Sequence, residues 1–193
     1  MIIPLTKNVF RISFKKFGSY VYLLKLKDRN ILIDTGSFEN ISELKEELKN
    51  LNIEPQTADA VILTHNHPDH TGGILLFKNS KIYGSKLDFP DGKIADIKNP
   101  KIYGSKKDFW ENLMDIKELK IPGMKIIETP GHSKGSICII HDGVLFSGDT
   151  LFHRGTIGRT DLPGSSEKEM QKSLAKLRKI KYEILAPGHG SGD

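Results

Sequence analysis

The segment His65-Asn66-His67-Pro68-Asp69-His70 places three histidines and a carboxylate within six residues, and His132, Asp149 and His189 follow at longer intervals. Imidazole nitrogens and carboxylate oxygens in this number are donors suited to Zn, Fe, Mn or Co, and no thiolate stands among them. In an extended segment alternate side chains share a side, so His65 and His67 point the same way. Pro68 keeps His67 out of the helical region and suits the first turn of a helix, which puts Asp69 and His70 at a helix start as a second pair. Seven donors exceed the four of a closed tetrahedral site and divide into two groups of three around one shared carboxylate. Two divalent metal ions are therefore expected, zinc first, with iron or manganese as alternatives.

The elements around these residues repeat one pattern. AVILT precedes His65, KIIET precedes Pro130-Gly131-His132, VLFS precedes Gly148-Asp149, and EILA precedes Pro187-Gly188-His189. Each apolar run reads as a strand, so four strand ends deliver ligands, and neighbouring ends converging on one edge of a sheet would hold them on a rigid base. The glycines before His132, Asp149 and His189 permit the sharp turns that aim the side chains inward. Upstream, strands are expected at Val9 to Phe14, Tyr20 to Leu26 and Asn30 to Asp34, forming a meander. A helix follows, with Ile41, Leu44, Leu48 and Leu51 on one stripe and Asn40 with Glu43 capping its start. A second helix begins near Ser166, with Glu169 three residues on and a stripe of Met170, Leu174 and Leu177. Asp142-Gly143 separates two apolar runs as a tight hairpin does.

Composition bounds the function classes. A chain of 193 residues, 37% hydrophobic and 27% charged, is expected to fold as a single domain spanning 1–193. No apolar run reaches the roughly 18 to 20 residues that span a bilayer, and the N-terminus lacks a signal pattern, so a cytoplasmic protein without a membrane partner is expected. The net charge of +5 comes from lysines spread along the chain, without the aromatic-basic interleaving of a nucleic-acid platform. A small-molecule substrate is expected instead. Cys138 lies within the apolar run Ile137 to Ile140 and is expected to be a buried thiol; His141 and His153 are expected at the surface. One feature stands apart from the ligand pattern: Lys78 to Phe89 recurs at Lys98 to Phe109 with ten of twelve positions identical, a local tandem duplication.

Taken together, THNHPDHTGG, TPGHSKGS, SGDTLF and APGHG resemble the successive metal motifs of the metallo-β-lactamase superfamily, and Asp34 in ILIDTG matches its early aspartate motif. The resemblance implies an α/β fold of the αββα sandwich type. It also implies a first metal held by His65, His67 and His132, a second by Asp69, His70 and His189, with Asp149 bridging and Asp34 supporting the ligands from behind. The stretch from Gly148 to Gly164 resembles the glyoxalase II branch most, which implies hydrolysis of a thioester. Arg154 and Arg159 are then candidates for holding a substrate carboxylate, Arg159 having Asp161 as a competing partner.

Between two cations, water deprotonates near neutral pH, since coordination lowers its pKa from 15.7 toward about 7. Direct attack without a covalent intermediate is the expected chemistry, with Asp69 and Asp149 as the carboxylates that serve it. In the glyoxalase II branch a helical segment that helps to bind glutathione follows the last histidine motif, whereas four residues follow His189 here. The expectation is therefore acyl chemistry with the thiol carrier unassigned. Persulfide dioxygenases resemble the chain in the same motifs and would use mononuclear iron on His65, His132 and Asp149. A lactonase or nuclease of the superfamily is a further alternative.

Overall fold

The computed structural model of the chain describes residues 1–89 and 113–190. The first sheet follows chain order: β1 (Ile2–Pro4), β2 (Val9–Ile12), β3 (Val21–Leu26), β4 (Arg29–Ile33), β5 (Ala60–Ile62), β6 (Lys81–Gly84) and β7 (Leu113–Asp115). Strands β1 to β4 pair antiparallel, the expected meander with one additional edge strand. From β4 onward the pairing is parallel, which demands crossovers. Helix α1 (Ile41–Asn50) lies in the first crossover and the short helix α2 (Pro68–Thr71) in the second. The second sheet has the order β11 (Ile184–Pro187), β10 (Val144–Gly148), β9 (Ile137–His141), β8 (Lys125–Glu128). Helix α3 (Glu167–Leu177) lies between β10 and β11, whose pairing is parallel.

Alternation along the strands sorts the apolar side chains into three layers. Val21, Leu23, Leu32 and Val61 face one way and meet Leu44 and Leu48 of α1. Their neighbours Tyr22, Leu24, Ile31, Ile33 and Ile62 face the other way and meet Ile137, Ile139, Val144 and Phe146 of the second sheet. Cys138 and Leu145, on the far side of that sheet, meet Leu177 of α3. The order is helix, sheet, sheet, helix, the expected αββα sandwich. Full burial of Leu44 and Leu48 contributes about 1.5–3 kcal/mol each, so α1 is held by its stripe more than by its ends.

Helix ends and turns follow local chemistry, with one exception. Ser166 caps α3 by accepting the Glu169 N–H at 3.3 Å, and the turn between β9 and β10 carries Asp142 at φ 49° and Gly143 at φ 75°, a left-handed pair that suits a two-residue hairpin. Asn40 does not cap α1. It is helical itself and its Oδ1 accepts from Ser37 N at 3.0 Å and Ser37 Oγ at 2.6 Å, while Glu43 accepts from Lys15 N. Ser37, three residues upstream in the preceding turn, and Lys15 in an earlier loop have claimed the side chains that the pattern assigned to α1. Among the described residues no helix is long and apolar enough to cross a membrane. The first copy of the duplicated segment contains β6; the second copy, Lys98 to Phe109, lies outside the described residues.

Candidate metal centre

Every expected strand end is a strand end. β5 ends three residues before His65, β8 four before His132, β10 leads directly into Asp149, and β11 ends two before His189. The ends belong to both sheets, however, so the candidate side chains meet across the sandwich edge instead of along one sheet. Pro68 opens α2 with His67 extended before it at φ −97°, ψ 146°, and this bend turns Asp69 and His70 toward the same point as His65 and His67.

The seven side chains form overlapping groups whose donor atoms lie within 4.8 Å of one another: His65, His67 and His132; His65, His70 and Asp149; Asp69, His70 and His189. In the first, His67 Nδ1 is 3.1 Å from His65 Nε2 and 2.9 Å from His132 Nε2. Three ring nitrogens this close repel unless a proton or a cation lies among them. In the last, His189 Nε2 is 3.0 Å from Asp69 Oδ2, and His70 Nε2 is 3.8 Å from the same oxygen. Asp149 stands between the groups, with Oδ1 3.2 Å from His70 Nε2 and Oδ2 3.4 Å from His132 Nε2. Among the described residues His70 Nε2 and Asp149 Oδ1, which face each other, are buried without a hydrogen bond of good geometry, a costly state for polar atoms that ligation to a cation would relieve. Geometry and donor chemistry both fit divalent metal.

Supporting contacts orient the donors. Asp34, buried and left-handed at φ 58°, accepts from Thr64 N at 2.8 Å, Thr64 Oγ1 at 2.7 Å and His70 Nδ1 at 2.7 Å. The bond to Nδ1 leaves His70 Nε2 aimed at the cluster. His132 Nδ1 donates to the Arg159 carbonyl at 2.9 Å, with the same result for its Nε2. Gly188 lets the backbone approach: a Cβ there would lie 2.3 Å from Asp149 Oδ1 and 2.8 Å from His70 Cε1. Without metal the electrostatics divide. Burial and the neighbouring rings push His65 below the usual histidine range, and burial with His132 lowers His67. Burial also opposes charge on His70, yet Asp149 and Asp34 outweigh it and raise that pKa well above 6.5. Asp69 and Asp149 are likewise lowered despite burial, Asp69 by His189 and His70, Asp149 chiefly by His70.

Several candidates fall outside the cluster. Arg154 and His153 are exposed in the turn after Phe152. The Arg159 guanidinium pairs with Asp161 through Nε and Nη2, both at 2.9 Å, so this residue reaches the cluster through its carbonyl. His141 is half-buried, with Nδ1 shielded and lacking a hydrogen-bond partner among the described residues, contrary to its expected surface position. Cys138 is fully buried, its thiol pushed up to about 11. Two phenylalanines escaped sequence reading: Phe17 stacks on His189 with centroids 5.4 Å apart, and Phe152 meets the same ring edge-on at 6.2 Å. Phe17 lies in a polar loop with no periodic signal.

A family model described as the metallo-beta-lactamase superfamily matches residues 15–189. A probable metallo-hydrolase of Methanocaldococcus jannaschii is 32% identical over 94% of this chain and 92% of its own length. A hydroxyacylglutathione hydrolase of Aeromonas hydrophila subsp. hydrophila is 30% identical over 86% of this chain, which spans only 59% of that relative. Among solved structures, TTHA1623 in a di-iron-bound form superposes with a TM-score of 0.76 and 27% identity, covering 95% of this chain and 93% of the other. With the strand-end motifs joined at one sandwich edge and the family model spanning all of them, the chain belongs to the metallo-β-lactamase superfamily.

Proposed function

We propose that this chain is a two-metal hydrolase of acyl compounds, with a thioester as the substrate class. The observation that carries the reading is the double set of donors, three on each side of Asp149, all of them buried or half-buried in one cluster. His65, His67 and His132 would hold one divalent ion and Asp69, His70 and His189 the other. Zinc is the first expectation, and the di-iron form of TTHA1623 makes iron the direct competitor. Divalent metal bound there supplies acidification of water and polarisation of the scissile carbonyl.

The protein's own groups define the rest. Asp149, at most 10% exposed in its side chain, sets the separation of the two triads by facing His70 with one oxygen and His132 with the other. Asp69 is the more accessible carboxylate, at 22%; its Oδ2 faces His189 at 3.0 Å, and we assign the ionised side chain, as part of the second triad, to orient the attacking water. No thiol competes as nucleophile, because Cys138, the single cysteine, is buried and protonated. The hydroxyacylglutathione hydrolase relative supports thioester chemistry.

Metal analysis joined to a substrate panel tests the reading: S-D-lactoylglutathione, a simple thioester, a lactone, a phosphodiester and glutathione persulfide. Two metal equivalents per chain and thioester hydrolysis, with ¹⁸O from labelled water entering the acid product, are expected. Oxygen consumption with the persulfide and no hydrolysis would replace this function with a dioxygenase using His65, His132 and Asp149.

A further inference from the structure

The duplicated segment, which the metal motifs leave unexplained, carries at its penultimate position a residue that joins the two histidine loops. Asp88 lies in the turn after β6. Its Oδ2 accepts from Asn66 N at 3.2 Å and Ser133 Oγ at 2.6 Å, and its Oδ1 accepts from Gly135 N at 2.6 Å. Its carbonyl accepts from Asn66 Nδ2 at 2.8 Å. Asn66 sits between His65 and His67; Ser133 follows His132. We propose that Asp88 is a positioning residue for the first metal triad, a carboxylate clamp that sets the separation between the His65–His67 loop of one sheet and the His132 loop of the other. The proposal rests on reading those histidines as metal ligands.

Three features make this more than a chance contact. Gly135 packs so tightly that a Cβ there would lie 2.7 Å from Asp88 N and 2.8 Å from its Cγ and Oδ1, so the loop carries the one residue type that allows the approach. Ser133 is locked in turn, its N–H donating to Ser136 Oγ at 3.0 Å and the two hydroxyls lying 2.6 Å apart. Phe89, 3% exposed and packed against Gly84 and the α1-side core, anchors the turn behind Asp88. The two copies of the repeat are not equivalent for this slot. Ser80 donates its N–H to Phe77 O at 3.0 Å and its hydroxyl to Ala58 O at 2.6 Å, and the second copy has Pro100 there, which has neither donor. Among the described residues, the side-chain bonds of Asp88 reach only the two loops of the first triad.

Asp88→Asn is the informative change because it preserves shape. An amide offers one oxygen, so whichever way it turns, its NH2 faces either the Gly135 N–H or the Asn66 N–H, and one side of the clamp opens. Partners bonded directly to a ligand side chain are worth about 10–100-fold in metal affinity, and Asp88, which holds the backbone on either side of the ligands, is expected at the lower end, about tenfold. Zinc affinity and stoichiometry of the full chain are measured by competition with a chromophoric chelator, with His132→Ala and His189→Ala marking loss of the first and second triads. Asp88→Asn is expected to weaken one of two equivalents by about tenfold, the one lost in His132→Ala, and Gly135→Ala to do the same from the opposite loop. Unchanged binding in both variants, or equal weakening of both equivalents as a general loosening would cause, overturns the clamp. Fewer than two equivalents in the parent protein would instead remove the two-metal reading, and the clamp with it.

Discussion

Replacing Asp34 by Asn removes a charge without removing volume, and the hydrogen bonds around it determine the cost. The carboxylate receives Thr64 N on Oδ1, and Thr64 Oγ1 and His70 Nδ1 on Oδ2, all at 2.7–2.8 Å. If the amide oxygen stays with His70, the NH2 faces the buried Thr64 N–H. If it turns, the NH2 faces the His70 Nδ1–H, which then has no acceptor. Either way one buried donor loses its acceptor, a cost of about 1–3 kcal/mol. Relief at φ 58° is small, since Asp and Asn both tolerate the left-handed region. For a chain of this length about 2 kcal/mol corresponds to a fall of roughly 4–8 °C in Tm. The assay is thermal unfolding in chelator, so that metal loss does not enter. Asp34→Ala, which strands all three donors, is expected to fall further. A metal-free Asp34→Ala protein melting within 1 °C of the parent would refute the reasoning.

Other outcomes follow from the same geometry. Gly188→Ala is expected to abolish metal binding at the second triad, because its methyl group would overlap Asp149 Oδ1 and crowd His70; two tightly bound equivalents in this variant would contradict the packing. Asp149→Ala is expected to lose hydrolysis entirely, and full activity would remove Asp149 from its central place. The metal-free protein is expected to be most stable near pH 6.5. Below that, His65 and His67, held neutral by the fold, must be protonated and their stability is lost. Above it, the contribution of His70, whose pKa is raised, is lost as pH climbs through its folded value. Melting curves between pH 5 and 8.5 test this, and a Tm rising steadily to pH 8.5 would count against it.

The parts of this molecule written in local pattern could be read from the sequence. Apolar runs ending in Gly-His or Gly-Asp marked β8, β10 and β11, Pro68 marked the start of α2, and Ser166 with Glu169 marked α3. What could not be read depends on partners distant in the chain. β1 is three residues, too short for alternation to register, and exists through pairing with β2. Asn40 has a capping residue's identity, but its Nδ2 donates to the Lys16 carbonyl, 24 positions away. Asp88 bonds to residues 22 and 45–47 positions away, and nothing around it has ligand spacing. The sequence also placed the ligands along one sheet edge, because strand ends carry no mark of which sheet they join.

Cys138 gives the protein a built-in chemical clock. Its sulfur lies 3.4 Å from Thr129 Oγ1 and 3.5 Å from the Ser147 carbonyl, beneath Leu177, in the layer whose loops carry His132 and Asp149. As the chain's single cysteine, fully buried and with its pKa pushed up, it is expected to react with a thiol reagent only through openings that lift α3 from the second sheet. The labelling rate thus counts openings of that layer, and its dependence on zinc concentration would measure how strongly the ligands hold the two sheets together.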